Sequence, residues 1–597
     1  MLQKGVAAMK SISRCRCWTV VVFVITISIG QAARAQDPDR YHPRIRPSRP
    51  IATNLPLPTL DALDGDSELL VEELNGVMIL SDITQLQDPI KPFEGIKIHP
   101  AAELNVVRED SFEAYVSGYV GGPVSLQSLN KLARSIVWAY RDSKQPIVDI
   151  NIPPGQDISE GIIQVVVTES TIGNVRFEGN CNCNFDNCML QQQTWLRRGQ
   201  SIFVPTIEQE LVWLNRNPYR HVNVRLIPGS EIDTTDVIFQ VRDENPISYH
   251  IGYADNGPRI TAQERLSVGF DYANFMGQDR RLSYQYTTDA HLAGVVGIHS
   301  LNYEAPIFES RDTISLFATW GEIDTVFDSP QGMRTASSGN FWQVSGRYHH
   351  TLHEDRCRLD RMHFGLDMKG ADNFADFGVF PALSSGPEVH AVNLMLGVSS
   401  EQKYNDGVTR YGVDVFASPG SLLSNNHSRD FKRIRREAQS TYAYTRAYVE
   451  RLYNVNCHSD LFFRLTGQVA TGPLMPTEQL GFGGFNSVRG YDARTLNGDN
   501  GYILNAEYRT KPVIGCLDRK PTSFVALAFA DVAQQDNWNA GNVHPDDEFF
   551  ASVGAGFRYV VDPGVSLRLD YGVPLTSVRG DQRNQDGRLH IGATVMY

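Results

Sequence analysis

The most reactive side chains of this 597-residue chain are its eight cysteines, and three of them stand close together. The spacing of Cys181, Cys183 and Cys188 could hold a metal ion, but such sites usually add histidine ligands, and none lies in this stretch. Exported chains meet an oxidising compartment, where neighbouring thiols form disulfides. We therefore expect a local disulfide among these three residues and no metal site.

The sequence carries no sign of a catalytic nucleophile or a nucleotide site. It contains neither the Gly-x-Ser-x-Gly turn of serine hydrolases nor the Gly-x-x-x-x-Gly-Lys loop that binds phosphates. We accordingly expect no enzymatic activity and no cofactor. The formal net charge of −13 argues against a nucleic-acid partner, because a protein of that class needs a basic stripe to neutralise phosphates.

The N-terminus has the features of an export signal. Basic residues precede an apolar stretch from Trp18 to Ile29, and Ala33-Arg34-Ala35 offers the small residues that a signal peptidase reads. We predict a signal peptide over residues 1–35, with a single membrane anchor as the alternative. Residues 36–68 are rich in proline and predict an extended linker or tail.

Two small α+β modules follow, which we place at residues 69–169 and 170–244. In the first module, Ser125 caps a helix whose apolar face runs to Tyr140, and two strands come after it. The second module repeats this plan with a strand, a helix over Thr206–Leu214 and two further strands.

From residue 245 to residue 597, strand follows strand with a period of two. Ile247, Tyr249, Ile251 and Tyr253 are apolar or aromatic, whereas the residues between them are small or polar. About sixteen such runs occur, and no helix-length apolar pattern separates them. This texture predicts a transmembrane antiparallel β-barrel of about sixteen strands, with a soluble all-β domain as the alternative.

The connections between these strands alternate in length. Short ones lie near 399–407 and 561–563, and long ones lie near 418–439 and 472–500. Barrels of the bacterial outer membrane have short periplasmic turns and long outer loops. We therefore expect a barrel in outer-membrane lipid with both modules in the periplasm.

The last strand ends the chain on an aromatic residue. His590, Gly592, Val595 and Tyr597 resemble the C-terminal signal that is read by the bacterial barrel assembly machinery. The resemblance implies that this machinery is a partner during insertion, and that the source is a Gram-negative-type bacterium.

One long connection and one later strand carry a further pair of motifs. The connection contains Val488-Arg489-Gly490-Tyr491, and the strand contains Phe529 and Asp531. They resemble the signature loop and the inward-facing strand motif of the outer-membrane protein 85 superfamily. That strand motif normally continues to Gly, whereas this chain has Ala533.

The modules resemble members of the same superfamily. The stretches 154–165 and 214–236 resemble parts of two polypeptide-transport-associated (POTRA) domains. From about residue 69 onwards, the chain resembles the two-partner secretion transporters of the hemolysin secretion/activation type, which carry two POTRA domains before a sixteen-stranded barrel. The segment 84–119 does not match a compact POTRA domain, and the proline-rich tail shows no helix that would plug the pore.

The resemblance implies a pore that captures an unfolded exoprotein on its POTRA domains and secretes it across the outer membrane. The secreted partner would be a large adhesin or cytolysin. The resemblance further implies that Arg489 on the loop pairs with Asp531 on the inner wall of the barrel. A barrel-assembly factor of the same superfamily is one alternative, although such factors usually carry three or more POTRA domains. A passive porin is another alternative.

The predicted topology places Cys357, Cys457 and Cys516 on the periplasmic side. The connections that hold Cys457 and Cys516 flank one pair of strands, so that a disulfide could join them.

Overall fold

The computed structural model describes residues 42–44, 66–104, 106–179, 184–328, 334–372, 388–517, 520–538, 547–562, 564–579 and 586–597. The predicted signal peptide, Cys181 and Cys183 lie outside these residues. The chain divides into two units, one of residues 51–244 and one of residues 1–50 with 245–597. Among the described residues, no helix is both long and apolar enough to cross a membrane.

The first module is a four-stranded sheet packed against helices. Its strands and α-helices are β1 Leu69–Val71, β2 Gly76–Leu80, β3 Gly95–Ile98, α1 Asp110–Val116, β4 Val124–Ser125, α2 Leu126–Asp142, β5 Val148–Asn151 and β6 Ile162–Glu169. Short 3-10 helices cover Ile83–Gln85, Val106–Arg108 and Ser117–Tyr119. The strand order of the main sheet is β3-β2-β6-β5, and β1 pairs with β4.

Helix α2 begins where the sequence predicts, because Ser125 and Ser128 form a reciprocal capping box. The Ser128 N–H donates to Ser125 Oγ at 3.2 Å, and the Ser125 N–H donates to Ser128 Oγ at 2.8 Å. The apolar face then buries Leu132, Ile136 and Tyr140 against the sheet. Burial of this stripe, more than helix propensity, holds the helix in place.

The segment 84–119, which did not match a POTRA domain in the sequence, is an integral part of the first module. Strand β3 lies within it and pairs in parallel with β2 through Gly76↔Gly95 to Ile79↔Ile98. Helix α1 of the same segment buries Phe112 and Val116 in the core of the module. A short strand among several prolines has too weak a pattern to be recognised from sequence alone.

We expect Glu169→Gln to stabilise the first module at alkaline pH and to leave its stability at acid pH nearly unchanged. Burial raises the pKa of the Glu169 carboxyl, which accepts a 2.9 Å hydrogen bond from the Tyr140 hydroxyl. The folded module therefore favours the protonated carboxyl, so its contribution to stability is lost as pH rises through that raised pKa. Glutamine stays neutral and still accepts the bond.

Urea unfolding of the full chain, read by pulse proteolysis within the first module at about pH 4 and about pH 8, measures this difference. Tyr140→Phe is the control for the hydrogen bond itself, because it leaves the carboxyl in place. An equal effect of Glu169→Gln at both pH values would contradict the prediction.

The second module is a three-stranded sheet in the order β7-β9-β8 with two helices. Its elements are β7 Thr171–Gly179, α3 Asn187–Gln193, α4 Val204–Leu214, β8 Arg220–Pro228 and β9 Thr234–Asp243. Strand β7 pairs with β9 in parallel, and β8 pairs with β9 antiparallel. Helix α4 buries Ile207, Leu211 and Leu214, in agreement with the predicted helix over Thr206–Leu214.

The predicted barrel is confirmed: the described strands close into a sixteen-stranded antiparallel barrel. The strands are β10 Ile247–Asp255, β11 Glu264–Phe275, β12 Arg280–Asp289, β13 Val296–Ile307, β14 Asp312–Asp328, β15 Arg334–Glu354, β16 Arg358–Ala371, β17 Val389–Tyr404, β18 Gly407–Ser418, β19 Tyr442–Asn454, β20 Ser459–Ala470, β23 Asn500–Thr510, β25 Lys520–Asp536, β26 Asp547–Val561, β27 Val565–Pro574 and β28 Arg588–Met596. Strand β24, Val513–Leu517, continues the course of β23 and pairs with β25. A small hairpin inside one connection consists of β21 Leu480–Phe482 and β22 Leu496–Gly498.

The period of two divides each strand between the outer and inner faces of the barrel. On β10, Tyr249 and Ile251 are 59% and 58% exposed, whereas His250 between them is 1% exposed. Exposed apolar residues facing outwards and buried polar residues facing inwards are what a lipid-embedded barrel requires. Strand β28 closes the barrel by pairing with β10 from His250↔Met596 to Ala254↔Gly592.

The connections alternate between two ends, which we call the turn end and the loop end. The turn end holds short connections such as 276–279 and 405–406, and the loop end holds long ones such as 419–441 and 471–499. A helix, α5 Ser428–Ile434, lies in the first of these long connections. The predicted alternation is thus present in the described barrel.

The possible disulfide between Cys457 and Cys516 is not formed in this structure. Cys457 lies in the turn after β19 and Cys516 lies within β24, and both are exposed free thiols, as are Cys188 and Cys357. The Cys457 sulfur lies 3.0 Å from Nδ1 of the adjacent His458. A strand, rather than a flexible turn, therefore carries one of the two thiols, which the sequence pattern had assigned to a connection.

Candidate functional site in the barrel lumen

The connection between β20 and β23, residues 471–499, folds back inside the barrel. The hairpin of β21 and β22 turns it, and the segment after the hairpin's first strand buries Val488, Arg489 and Tyr491 almost completely. The backbone at Gly490 has φ +96°, and a Cβ there would lie 3.0 Å from the carbonyl carbon of Gly572. Only glycine therefore fits where this loop touches the wall.

Arg489 is the centre of the contact between loop and wall, which we call the latch. Its Nε and Nη2 donate to the two carboxylate oxygens of Asp531, both at 2.8 Å, and its backbone N–H donates to the same carboxylate at 3.1 Å. The guanidinium also stacks over the ring of Phe529, with 3.5 Å from its carbon to the ring centroid. A planar, two-pronged donor satisfies this site, which an ammonium could not.

Further carboxylates surround the Arg489 guanidinium. Nη1 lies 2.7 Å from Glu507 Oε1 and 3.8 Å from Asp570 Oδ2, as ion pairs. Those two acids are in turn paired with other arginines of the wall, namely Arg509 with Glu507, and Arg558 and Arg568 with Asp570. The latch is therefore one part of a buried network in which each carboxylate contacts at least one guanidinium, so that removing one member leaves charge uncompensated.

The other residues of the loop motif are held by separate contacts. The Gly490 N–H donates to Nε2 of His590 at 3.0 Å, and the Tyr491 hydroxyl donates to the Thr576 carbonyl at 2.7 Å. Tyr491 and Val488 pack in an apolar cluster with Phe550 and Ala533. The loop thus contacts strands β25, β26, β27 and β28 at once.

The residues predicted as a C-terminal signal lie along β28, except Tyr597, which follows it directly. His590 and Gly592 face the loop, since a Cβ at Gly592 would lie 2.9 Å from the ring of Phe485. Val595 is 53% exposed, and the backbone of the exposed Tyr597 pairs with Tyr249 of β10 at 2.8 Å in both directions. The predicted role of these residues as an assembly signal remains a prediction.

Sequence reasoning missed Glu507, Asp570 and the acceptor role of His590. A signal was present, because Asn505, Glu507 and Arg509 alternate along β23 with residues that face outwards. Charges on the inner face of one strand, however, do not reveal which other strand they meet, since register and closure are set by the whole barrel.

Three residues of the predicted linker also lie in the lumen. The His42 ring stacks on the ring of Phe317 at 3.8 Å, and the Arg44 N–H donates to Gln285 Oε1 at 3.3 Å. Phe317 and Gln285 are buried residues of the inner face of the barrel. The described part of the linker therefore contacts the inner wall.

The loop end of the lumen is filled by a second contact, which we call the clasp. Asp499, fully buried, accepts from Arg435 Nη1 and Nη2 at 2.5 and 2.6 Å, and from the backbone N–H groups of Leu474 and Trp538 at 2.9 Å each. One carboxylate thereby ties together the three connections that follow β18, β20 and β25.

Apolar side chains of these connections pack beneath the clasp. Phe431, Ala438, Leu474 and Met475 form one core with residues of the inner wall, which are Val296, Ile298, Ile323, Phe341, Ala371, Val389, Ala391, Phe416, Tyr442, Tyr444 and Ala470. The loops are thus seated on an apolar ring inside the barrel mouth. An open water-filled channel would have polar residues at this level.

Comparison with known proteins shows which family and which relatives this chain is similar to. The family model for haemolysin secretion/activation protein ShlB/FhaC/HecB matches residues 233–559. The heme/hemopexin transporter protein HuxB of Haemophilus influenzae is 20% identical over 413 residues, which cover 67% of this chain and 69% of that protein. The outer membrane transporter CdiB of Escherichia coli is 22% identical over 367 residues, which cover 59% of this chain and 58% of that protein.

A solved structure of CdiB from Escherichia coli shares the fold. It aligns with a TM-score of 0.67 at 16% sequence identity and covers 92% of this chain and 94% of that chain. At this identity the likeness concerns the fold alone.

Proposed function

Because this chain belongs to the haemolysin secretion/activation protein family, we propose that it is a pore that captures an unfolded exoprotein on its two modules and secretes it across the outer membrane. The observation that carries the proposal is the joining of two strand-bearing modules to a barrel whose lumen holds an anchored, fold-back loop. A passive porin would have no use for either feature. The barrel lies in the outer membrane, with the modules in the periplasm.

The capture step is supported by an open sheet edge in the second module. Asn215 covers the start of the outer edge of β8, since its side chain accepts from the Val222 N–H at 2.7 Å and donates to the Val222 carbonyl at 2.8 Å. Alternate residues of a strand present their backbone groups to the same side, so Val224 and Leu226 also face away from β9. Within the described residues, no other group forms a hydrogen bond with the outward backbone N–H and carbonyl of Val224 or Leu226.

An open edge of this kind adds an extended segment as a further strand. Main-chain hydrogen bonds supply the affinity and ask little of the sequence that is bound. This suits a partner that crosses the periplasm unfolded. The exoprotein class, a large adhesin or cytolysin, is part of the same proposal.

The proposed transport requires no nucleotide, no metal and no covalent step. Directional movement would come from folding of the exoprotein after it leaves the pore. A folded exoprotein cannot re-enter the lumen, so the equilibrium between chain inside and chain outside the cell shifts outwards. Outer-membrane lipid surrounds the barrel in this scheme, and the barrel assembly machinery would insert it.

We expect Leu226→Pro to weaken capture of the exoprotein about fivefold more than Leu226→Ala does, which corresponds to loss of about one hydrogen bond. Proline is tolerated at a sheet edge but removes the outward N–H. Alanine removes the same side chain and keeps the N–H, so the difference between the variants isolates the backbone donor.

The assay is co-expression with a candidate exoprotein encoded beside this chain, read as exoprotein at the cell surface or in the medium. Export that does not depend on the presence of this chain would overturn the proposed function. Equal export by the proline and alanine variants would overturn only the β8 edge as the capture site.

A further inference from the structure

A cationic segment lies at the loop end of the barrel, in a chain whose formal net charge is −13. Five basic residues occur between residues 429 and 436, and they are Arg429, Lys432, Arg433, Arg435 and Arg436. Two residues anchor this segment, because Phe431 is fully buried in the apolar core of the mouth and Arg435 is bound by Asp499. The backbone that carries the other four basic residues is therefore held at the barrel mouth.

These four side chains point to solvent. The side chains of Arg429, Arg433 and Arg436 are 75%, 60% and 86% exposed, and Lys432 is exposed as well. The acids nearby do not neutralise them: the buried Asp430 lies 3.5 Å from both Arg429 and Arg433, and Glu437 lies 3.8 Å from Arg436. Ion pairs of this length and exposure are weak.

A cavity of about 710 Å³ opens beside the segment. Its lining includes Lys432, Arg436, Gln439, Thr441, Trp538 and one carboxylate, that of Glu437. Amides, hydroxyls and cations can bond to sugar hydroxyls and phosphates, and the Trp538 ring, 44% exposed, offers a flat face for a sugar ring. The volume lies in the range of small-molecule binding sites.

The position of the cavity selects its occupant. It lies beyond the loop-end limits of β18 and β19, whose outward faces are apolar, and so on the outer-leaflet side of the strands that span the membrane. We propose that the segment 429–436 and this cavity bind the phosphorylated saccharide headgroup of an outer-leaflet glycolipid. The lipid would hold connection 419–441, which carries one arm of the clasp, against the membrane surface.

The test is binding of bisphosphorylated glycolipid to the full chain in neutral nanodiscs. We expect the triple variant Lys432→Gln, Arg433→Gln, Arg436→Gln to bind at least about tenfold more weakly, because each surface cation contributes to attraction of anionic headgroups. A control triple variant, Arg259→Gln, Arg356→Gln, Lys520→Gln, loses the same charge from exposed sites elsewhere on the described barrel and should bind within about twofold of the unchanged chain. Heat-modifiable migration on gels checks folding of each variant.

Each further probe decides for or against the proposal. Glycolipid stripped of phosphate should bind the unchanged chain as weakly as intact glycolipid binds the triple variant. Equal binding by the triple variant and the unchanged chain would overturn the proposal. Binding of inorganic phosphate as tight as that of the glycolipid, or preferred binding of a polyglutamate peptide, would also overturn it, and the peptide result would assign the segment to an acidic polypeptide. If the triple variant fails to fold, rising salt still decides, because it weakens ionic contacts and leaves apolar lipid binding in place.

Discussion

Arg489→Ala is expected to reduce export of the exoprotein to below about a tenth of its normal level, while the barrel still folds and inserts. The substitution leaves the carboxylate of Asp531 buried without its principal partner, and Glu507 loses one of its two ion pairs within the described residues and keeps that with Arg509. Breaking a buried pair by removing one member costs about 3–5 kcal/mol, which shifts the equilibrium between the docked and undocked loop towards the undocked state by about two to three orders of magnitude. The strand pairings that close the barrel do not involve this side chain.

The measurement is surface export at matched amounts of folded protein in the outer membrane. Arg464→Ala is the control, because it breaks a buried pair of similar geometry, 2.7 Å from Arg464 Nε to Glu450 Oε1, within the wall and away from the loop. Export by Arg489→Lys should lie between that of Arg489→Ala and that of Arg464→Ala, since lysine keeps the charge and loses the two-pronged bond. Normal export by Arg489→Ala at wild-type membrane levels would show that the latch has no role in secretion.

The sequence predicts those features that depend on local periodicity. Alternation along β10 places Tyr249 and Ile251 on the outer face, and a capping serine marks the start of α2. Both follow from geometry that repeats within a few residues. The pairing of Arg489 with Asp531 was available only through resemblance, because 42 positions separate the two residues along the chain.

Features that depend on closure of the barrel could not be predicted from the sequence. Glu507 and Asp570 meet Arg489 because β23 and β27 both face the same part of the lumen, and no local pattern carries that information. The clasp is a similar case, since Arg435 and Asp499 belong to two different connections. Strand β3 was missed for another reason, because four residues among prolines give too little alternation to be distinguished from a loop.

The second large effect that we expect is a rise in ion conductance when the clasp is broken. Asp499→Asn is expected to make open, ion-conducting events at least about tenfold more frequent in planar bilayers, because it removes the charge that holds Arg435 and so frees three connections at the mouth. Phe431 and Leu474 would then leave the apolar ring of the inner wall more often. The exoprotein can leave only when these connections move away from the barrel mouth, so the clasp would set how often the mouth opens.

Arg435→Gln should produce the same rise in conductance, and the double variant should add little, since both substitutions remove one interaction. Glu450→Gln is the matched control: it neutralises a buried carboxylate paired with Arg464 in the wall and leaves the connections untouched. Uptake of a large antibiotic that the intact outer membrane excludes gives an independent reading in cells. If Asp499→Asn conducts no more than Glu450→Gln, the apolar ring alone closes the mouth, and opening must come from displacement of Phe431 and its neighbours.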